Sequence, residues 1–304
     1  MATGPLGALS HDELGVIFDG LADPLQPVVA VALSSTCLGL RTPLRAGLEV
    51  LQQQHEQAKA LCNKIVNSPW QSLDVEDKPL GVHCAQLRDA EQLDWNLEEL
   101  NAAHMATLGM LFRMNSLPRV RRINLTGNNF GDTAMQALCE GLGHGAAPSL
   151  NDLDLKDNAF EQAGAEALAA SLCRGAFPNL EKLNLTASRI RQQGAAVLAM
   201  PLRKLSALGE LRMGHCGIGD EGVASLFSNL SKDDFRALHT LSLDCNEITD
   251  QGFATLASTL NAGALPKFKQ LDVSFEDQRL AGEGWQALAN ACHARDVTYS
   301  VLLD

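Results

Sequence analysis

The chain has 304 residues, 46% of them hydrophobic but only 5% aromatic, so leucine and alanine rather than large rings must fill its core. Its 24 Lys and Arg against 36 Asp and Glu leave a net charge of −12, spread along the chain without an acidic block. That balance argues against a nucleic-acid partner, which needs a basic face to neutralise phosphates, and the lack of a long apolar run argues against a membrane span.

The opening stretch from Met1 to Leu14 has no basic segment followed by a long apolar run. It therefore does not read as a secretory signal, and the expected setting is the cytoplasm or nucleus. There the eight scattered cysteines (37, 62, 84, 139, 173, 216, 245 and 292) read as reduced structural thiols. They include no Cys-x-x-Cys pair and no spacing that gathers four ligands, so neither a metal nor a cofactor is expected.

Residues 1–65 show short helical patterns broken at Asp23-Pro24 and Pro27. A longer amphipathic pattern follows through Leu44, Leu48, Leu51, Ala58, Leu61 and Ile65, which makes a small all-α module. The order Leu9, Asp12-Glu13-Leu14, Ile17-Phe18, Leu21, Pro24, Leu33, Cys37 and Leu40 resembles an F-box, with Ser10 standing where that family usually has proline. The resemblance implies docking on the adaptor subunit of a cullin-RING ubiquitin ligase through Leu9, Leu14, Ile17, Phe18, Leu21 and Pro24. The same stripe also suits a helical cap or a dimerisation module in which Leu14, Ile17, Phe18 and Leu21 pack inward. Residues 66–86, with two prolines and a local acidic cluster, read as a linker or surface loop.

From residue 87 to 304 the chain repeats itself. Val120, Ile123 and Leu125 are followed by Asn128 and Phe130, then by Ala134, Leu138 and Leu142 at helical spacing. Copies of this series begin at Leu150, Leu180, Leu208, Leu238 and, more loosely, Phe268, which are steps of 30, 30, 28, 30 and 30 residues. Each unit is a short strand followed at once by a helix, and one unit cannot bury its own apolar face, so the units must stack into a solenoid. Ala90, Leu93, Trp95, Leu108 and Leu111 fit a degenerate earlier copy, and Val301 and Leu303 fit the fourth and sixth positions of a last strand, so these ends read as caps. The ninth position, held by Asn128, Asn158, Ser188, Cys216, Asn246 and Glu276, reads as an inward ladder bonded to the backbone. Asp132, Asp220 and Thr249 stand where helix N-caps are useful.

The series resembles the leucine-rich repeat, specifically the longer ribonuclease-inhibitor type. The resemblance implies an α/β fold, a right-handed horseshoe with a parallel sheet on the concave face and helices outside. Strands stack closer together than helices do, so such a coil must curve toward its strands.

No phosphate-loop, nucleophile-elbow, zinc-protease or dinucleotide signature occurs. His215 and Cys216 could suggest a thiol-imidazole pair, but adjacent strand positions point to opposite faces and Cys216 belongs to the ladder, so no enzyme is expected. Function is expected on the concave face, where the central outward residues are Asp94, Asn124, Asp154, Asn184, Arg212, Ser242 and Asp272. Arg122, Asp152, Lys156, Lys182, Glu210, His239 and Asp244 flank them. The row is polar and poor in aromatics, which also suits a merely solvated face; if it binds protein, Arg122 and Arg212 are the expected anchors. Three functions stay open: a ubiquitin-ligase substrate receptor, an inhibitor that wraps another enzyme, and an accessory subunit of a larger complex.

Overall fold

The computed structural model describes residues 17–18, 21–35, 44–66, 84–275 and 282–303. Two helices, α1 (Val28–Ser35) and α2 (Arg45–Val66), precede a short α3 (Cys84–Asp89). Strands and helices then alternate: β1 (Gln92–Asp94), α4 (Ala102–Arg113), β2 (Arg122–Asn124), α5 (Asp132–Glu140), β3 (Asp152–Asp154), α6 (Gln162–Cys173), β4 (Lys182–Asn184), α7 (Arg191–Lys204) and β5 (Glu210–Arg212). The array closes with α8 (Gly219–Phe227), β6 (Thr240–Ser242), α9 (Asp250–Asn261), β7 (Gln270–Phe275), α10 (Glu283–Ala294) and β8 (Thr298–Leu303). The eight strands form one parallel sheet in chain order, the expected leucine-rich-repeat solenoid.

The middle residues of successive strands, Leu93, Ile123, Leu153, Leu183, Leu211, Leu241 and Leu271, pair directly with one another and are all buried. Slipping any strand by one residue would turn its leucine to solvent, which is what locks the register. On the helix side, a Cβ on Gly222 would stand 2.7 Å from the Ile218 Cβ and 3.2 Å from the Ala195 Cβ. The bare backbone lets α8 close onto its own turn and onto α7.

The ladder forms as expected at Asn128, Asn158, Cys216 and Asn246, but not at Ser188. Asn246 donates to the carbonyls of Met213 (2.6 Å) and Leu243 (3.0 Å) and accepts from the amides of Cys216 (3.0 Å) and Ile218 (3.3 Å). One carboxamide therefore closes two adjacent turns, and Asn128 does the same between Trp95, Leu125, Glu98 and Leu100. Cys216 fills its place by donating its thiol to the Leu185 carbonyl, whereas the buried Ser188 hydroxyl has no hydrogen-bond partner. Glu276 lies outside the described residues.

Two expectations need correction. Thr249 caps its own helix through the Gln251 amide, but Asp132 and Asp220 do not. Each sits inside the first turn of its helix and caps the next one along: Asp132 accepts from the Glu161 and Gly164 amides at 2.7 and 2.8 Å, Asp220 from those of Thr249 and Gly252 at 2.8 and 3.0 Å. Stacking brings the neighbour's open amides nearer than the aspartate's own. The second correction concerns the last strand. Tyr299 pairs with Leu271 and Val301 with Val273, so Val301 and Leu303 sit two positions later in the repeat than the sequence spacing suggests. The final step is 28 residues, from Gln270 to Thr298.

The amphipathic pattern from Leu44 to Ile65 forms α2, which serves two cores. Its second half, Ala58, Leu61, Cys62 and Ile65, belongs to the continuous solenoid core with Leu25, Leu87 and Leu93. Its first half contributes Leu51 to a separate small cluster with Phe18, Ala22, Ala30 and Leu44.

Candidate functional site

The outward residues of the sheet form two ladders, one on each side of the leucine stack. The first runs Gln92, Arg122, Asp152, Lys182, Glu210, Thr240, Gln270 and Thr298. The second runs Asp94, Asn124, Asp154, Asn184, Arg212, Ser242, Asp272 and Ser300. Each expected residue of the strands is thus where the sequence placed it. Lys156 and Asp244 follow their strands on the same side, and the exposed His239 precedes β6 with its Nδ1 3.0 Å from the Thr240 hydroxyl.

The sequence reading missed that neighbours in each ladder complement one another. Arg122 Nε lies 3.5 Å from Asp152 and Lys182 Nζ 3.6 Å from Glu210, while Arg212 Nε donates to the same Glu210. In the second ladder Asn124 donates to Asp94 (2.9 Å), Asn184 to Asp154 (3.2 Å) and Ser300 to Asp272 (2.5 Å). Alternation follows from the strand spacing, since like charges facing each other across about 5 Å would repel. The signal was legible: residues one repeat apart become cross-strand neighbours.

The two signs are not equally presented. Side chains of Arg122, Lys182 and Arg212 are 49%, 54% and 53% exposed, against 23% for Asp152 and 15% for Glu210. Burial raises the Asp152 carboxyl above the ordinary carboxylate range, while Arg122 and Lys182 pull it back. Together with Asp154 and Asn184 these residues line a shallow cleft of about 210 Å³ at the middle of the sheet. Three cations therefore stand over recessed carboxylates, on a molecule that is acidic as a whole.

The thiol-imidazole pair is dispersed by the turn after β5. His215 is exposed, while burial pushes the Cys216 thiol up to about 12, far from a thiolate nucleophile. Cys216 takes its expected place in the ladder, and the two residues lie in a turn and not on a strand. Cys62, Cys139, Cys173, Cys216, Cys245 and Cys292 form no disulfide. Among the described residues no helix is long and apolar enough to cross a membrane.

Of the residues expected to dock an adaptor, Phe18 and Pro24 are buried, Ile17 is half-buried and Leu21 is exposed. Leu9 and Leu14 lie outside the described residues. Asp23 ion-pairs with Arg88, and the His55 ring meets the Pro24 carbonyl at 2.6 Å.

The fold and its repeats define a leucine-rich-repeat protein, a class of domain that is generally a protein-interaction module. The profile of the family described as Leucine Rich repeat matches residues 118–139, 146–169, 208–227 and 236–257. The curated proteins give no match. Among solved structures, an internalin (inlF) from Listeria monocytogenes str. 4b F2365 is similar, with 17% identity over 81% of this chain and 70% of that one and a TM-score of 0.39.

Proposed function

We propose that this chain is a non-enzymatic protein-binding solenoid that holds its target on the concave sheet, with Arg122, Lys182 and Arg212 engaging acidic side chains of the partner. The observation that carries this reading is the presentation of those three cations above recessed carboxylates. Exposed cations already paired with recessed acids keep their orientation when the partner arrives, so little side-chain freedom is lost on binding. Asp94, Asp244 and Asp272, toward the two ends of the face, and Asp154, within the central cleft, supply selectivity by repelling a partner in the wrong register. The test is recovery of partners on the intact chain and on a variant carrying Arg122→Gln, Lys182→Gln and Arg212→Gln, which removes the cations without setting new carboxylates against Asp152 and Glu210. The variant should melt like the intact protein and lose its partner; retention of the partner would place binding elsewhere.

A second reading, adaptor docking by the amino-terminal module, is favoured by its exposed apolar side chains. Val28, Val29 and Val31 are 74%, 54% and 50% exposed beside Leu21. Deleting residues 1–65 would also strip Ala58, Leu61 and Ile65 from the solenoid core, so the cleaner test is Val28→Asp with Val29→Asp in the full chain. Recovery of cullin and adaptor subunits with the intact chain and not with the variant supports a ubiquitin-ligase receptor. A single stoichiometric enzyme instead supports an inhibitor, and a constant set of subunits an accessory role.

A further inference from the structure

After each of the first six strands the chain turns through a left-handed residue at the eighth position of the repeat. Leu97, Gly127, Asp157, Ala187, His215 and Cys245 all have φ between 50° and 70°. Because the repeats stack in register, neighbours in this row come together side by side. At the fifth and sixth of these positions the neighbours are His215 and Cys245, and the carboxylate of Asp244 lies next to both. His215 Nε2 is 3.8 Å from Asp244 Oδ2, and the imidazole nitrogen, carboxylate oxygen and Cys245 sulfur lie within 4.8 Å of one another.

The carboxylate is held in this place from two sides. Ser242 donates its hydroxyl to Oδ1. The preceding repeat has Gly214 at the matching position, where a Cβ would stand 2.5 Å from Oδ2. Asp244 therefore occupies space that any other residue at 214 would fill, and this is what turns its second oxygen toward His215. The Asp244 side chain is only 14% exposed, and beyond the three donors an open groove is bordered by Arg189, Arg191, Gly217 and Glu247.

We propose that His215, Asp244 and Cys245 form a three-ligand site for a zinc-class divalent cation, its fourth coordination position open to the groove. Imidazole, thiolate and carboxylate are the donors a borderline-soft tetrahedral cation accepts, whereas calcium and magnesium seek oxygen alone. Metal–ligand bonds of about 2.0–2.3 Å separate tetrahedral donors by about 3.3–3.8 Å. The His215–Asp244 pair, at 3.8 Å, closes by about 0.5 Å to the spacing of a nitrogen and an oxygen donor, and the widest pair by about 1 Å, through rotation of side chains. Neutral imidazole, carboxylate and thiolate carry two negative charges, matching the dication, and the thiol proton leaves to solvent as the cation binds.

The experiment is titration of the reduced, metal-stripped full chain with cobalt(II) and then zinc(II) against a chromophoric chelator. One equivalent per chain should bind, cobalt giving a thiolate charge-transfer band that zinc removes. Cys245→Ser should abolish the band, and His215→Ala should weaken zinc binding at least about tenfold, while both metal-free variants melt like the parent. Absence of the band, less than one equivalent bound, or a band that survives Cys245→Ser would overturn the assignment, the last because it places the metal on another of the eight cysteines.

Discussion

The two cores of this molecule are closed in different ways. In the solenoid, adjacent repeats are joined by a leucine stack, by buried carboxamides such as Asn128 and Asn246, and at some steps by an aspartate that caps the next helix. The amino-terminal cluster of Phe18, Ala22, Ala30, Leu44 and Leu51 is one ring among small aliphatic groups, and it leaves Val28 and Val29 in solvent. It depends on α2, whose other half is anchored in the solenoid. A repeat array satisfies its backbone from neighbour to neighbour, while a cluster this small depends on a larger core for support.

The hardest way to break the larger core is Asn246→Ala. It leaves two carbonyls and two amides of adjacent turns without their shared partner, and about 4 kcal/mol should be lost in urea denaturation. A loss below about 1 kcal/mol would show that water replaces the carboxamide and that the ladder is dispensable. Phe18→Ala should cost about 3 kcal/mol, but locally. Hydrogen exchange should quicken in α1 and the first half of α2 and stay unchanged from β2 to β7; uniform quickening would mean the two cores unfold as one. Asp220→Ala should cost about 1–2 kcal/mol and quicken exchange at Thr249 and Gly252, thirty residues away, more than in α8 itself. Ser188→Ala has the smallest effect. Removing a buried hydroxyl without a partner should leave stability unchanged or raise it by about 1 kcal/mol, and a clear loss would reveal an unseen hydrogen bond.

Much of the solenoid was legible because one requirement, burial of a strand leucine against the next, recurs at a fixed interval and overrides local composition. What escaped the sequence shares a cause: the interacting partners lie a full repeat apart. Asp132 and Asp220 looked like caps of their own helices, since nothing local shows that the next helix offers the nearer amide donors. The last strand was misplaced by two residues because a shift of two keeps the same side chains on the same face, so alternation cannot tell the two registers apart. The concave residues were found individually, but their pairing of opposite charges needed the strand register. His215 and Cys245 were visible as residues one period apart at one repeat position; the nearness of Asp244 was not, because it depends on the missing side chain at Gly214. The docking residues of the amino-terminal module were least legible, since one stripe serves equally for contact and for core, and Phe18 and Pro24 pack inward.

One step of the array differs from the rest. Between the turns that begin at Leu150 and Leu180, the ladder residue is the unpartnered Ser188, and Gln162, at the place of the capping aspartates, bonds instead to Glu166 within its own helix. Among the described side chains, Asn179 and Asn184 reach across near the surface. Pulled from its two ends, the ribbon would tear along this perforation first. It would part into a front piece carrying Arg122 and a back piece carrying Arg212, so a partner that grips both would act as the stitch that keeps them together.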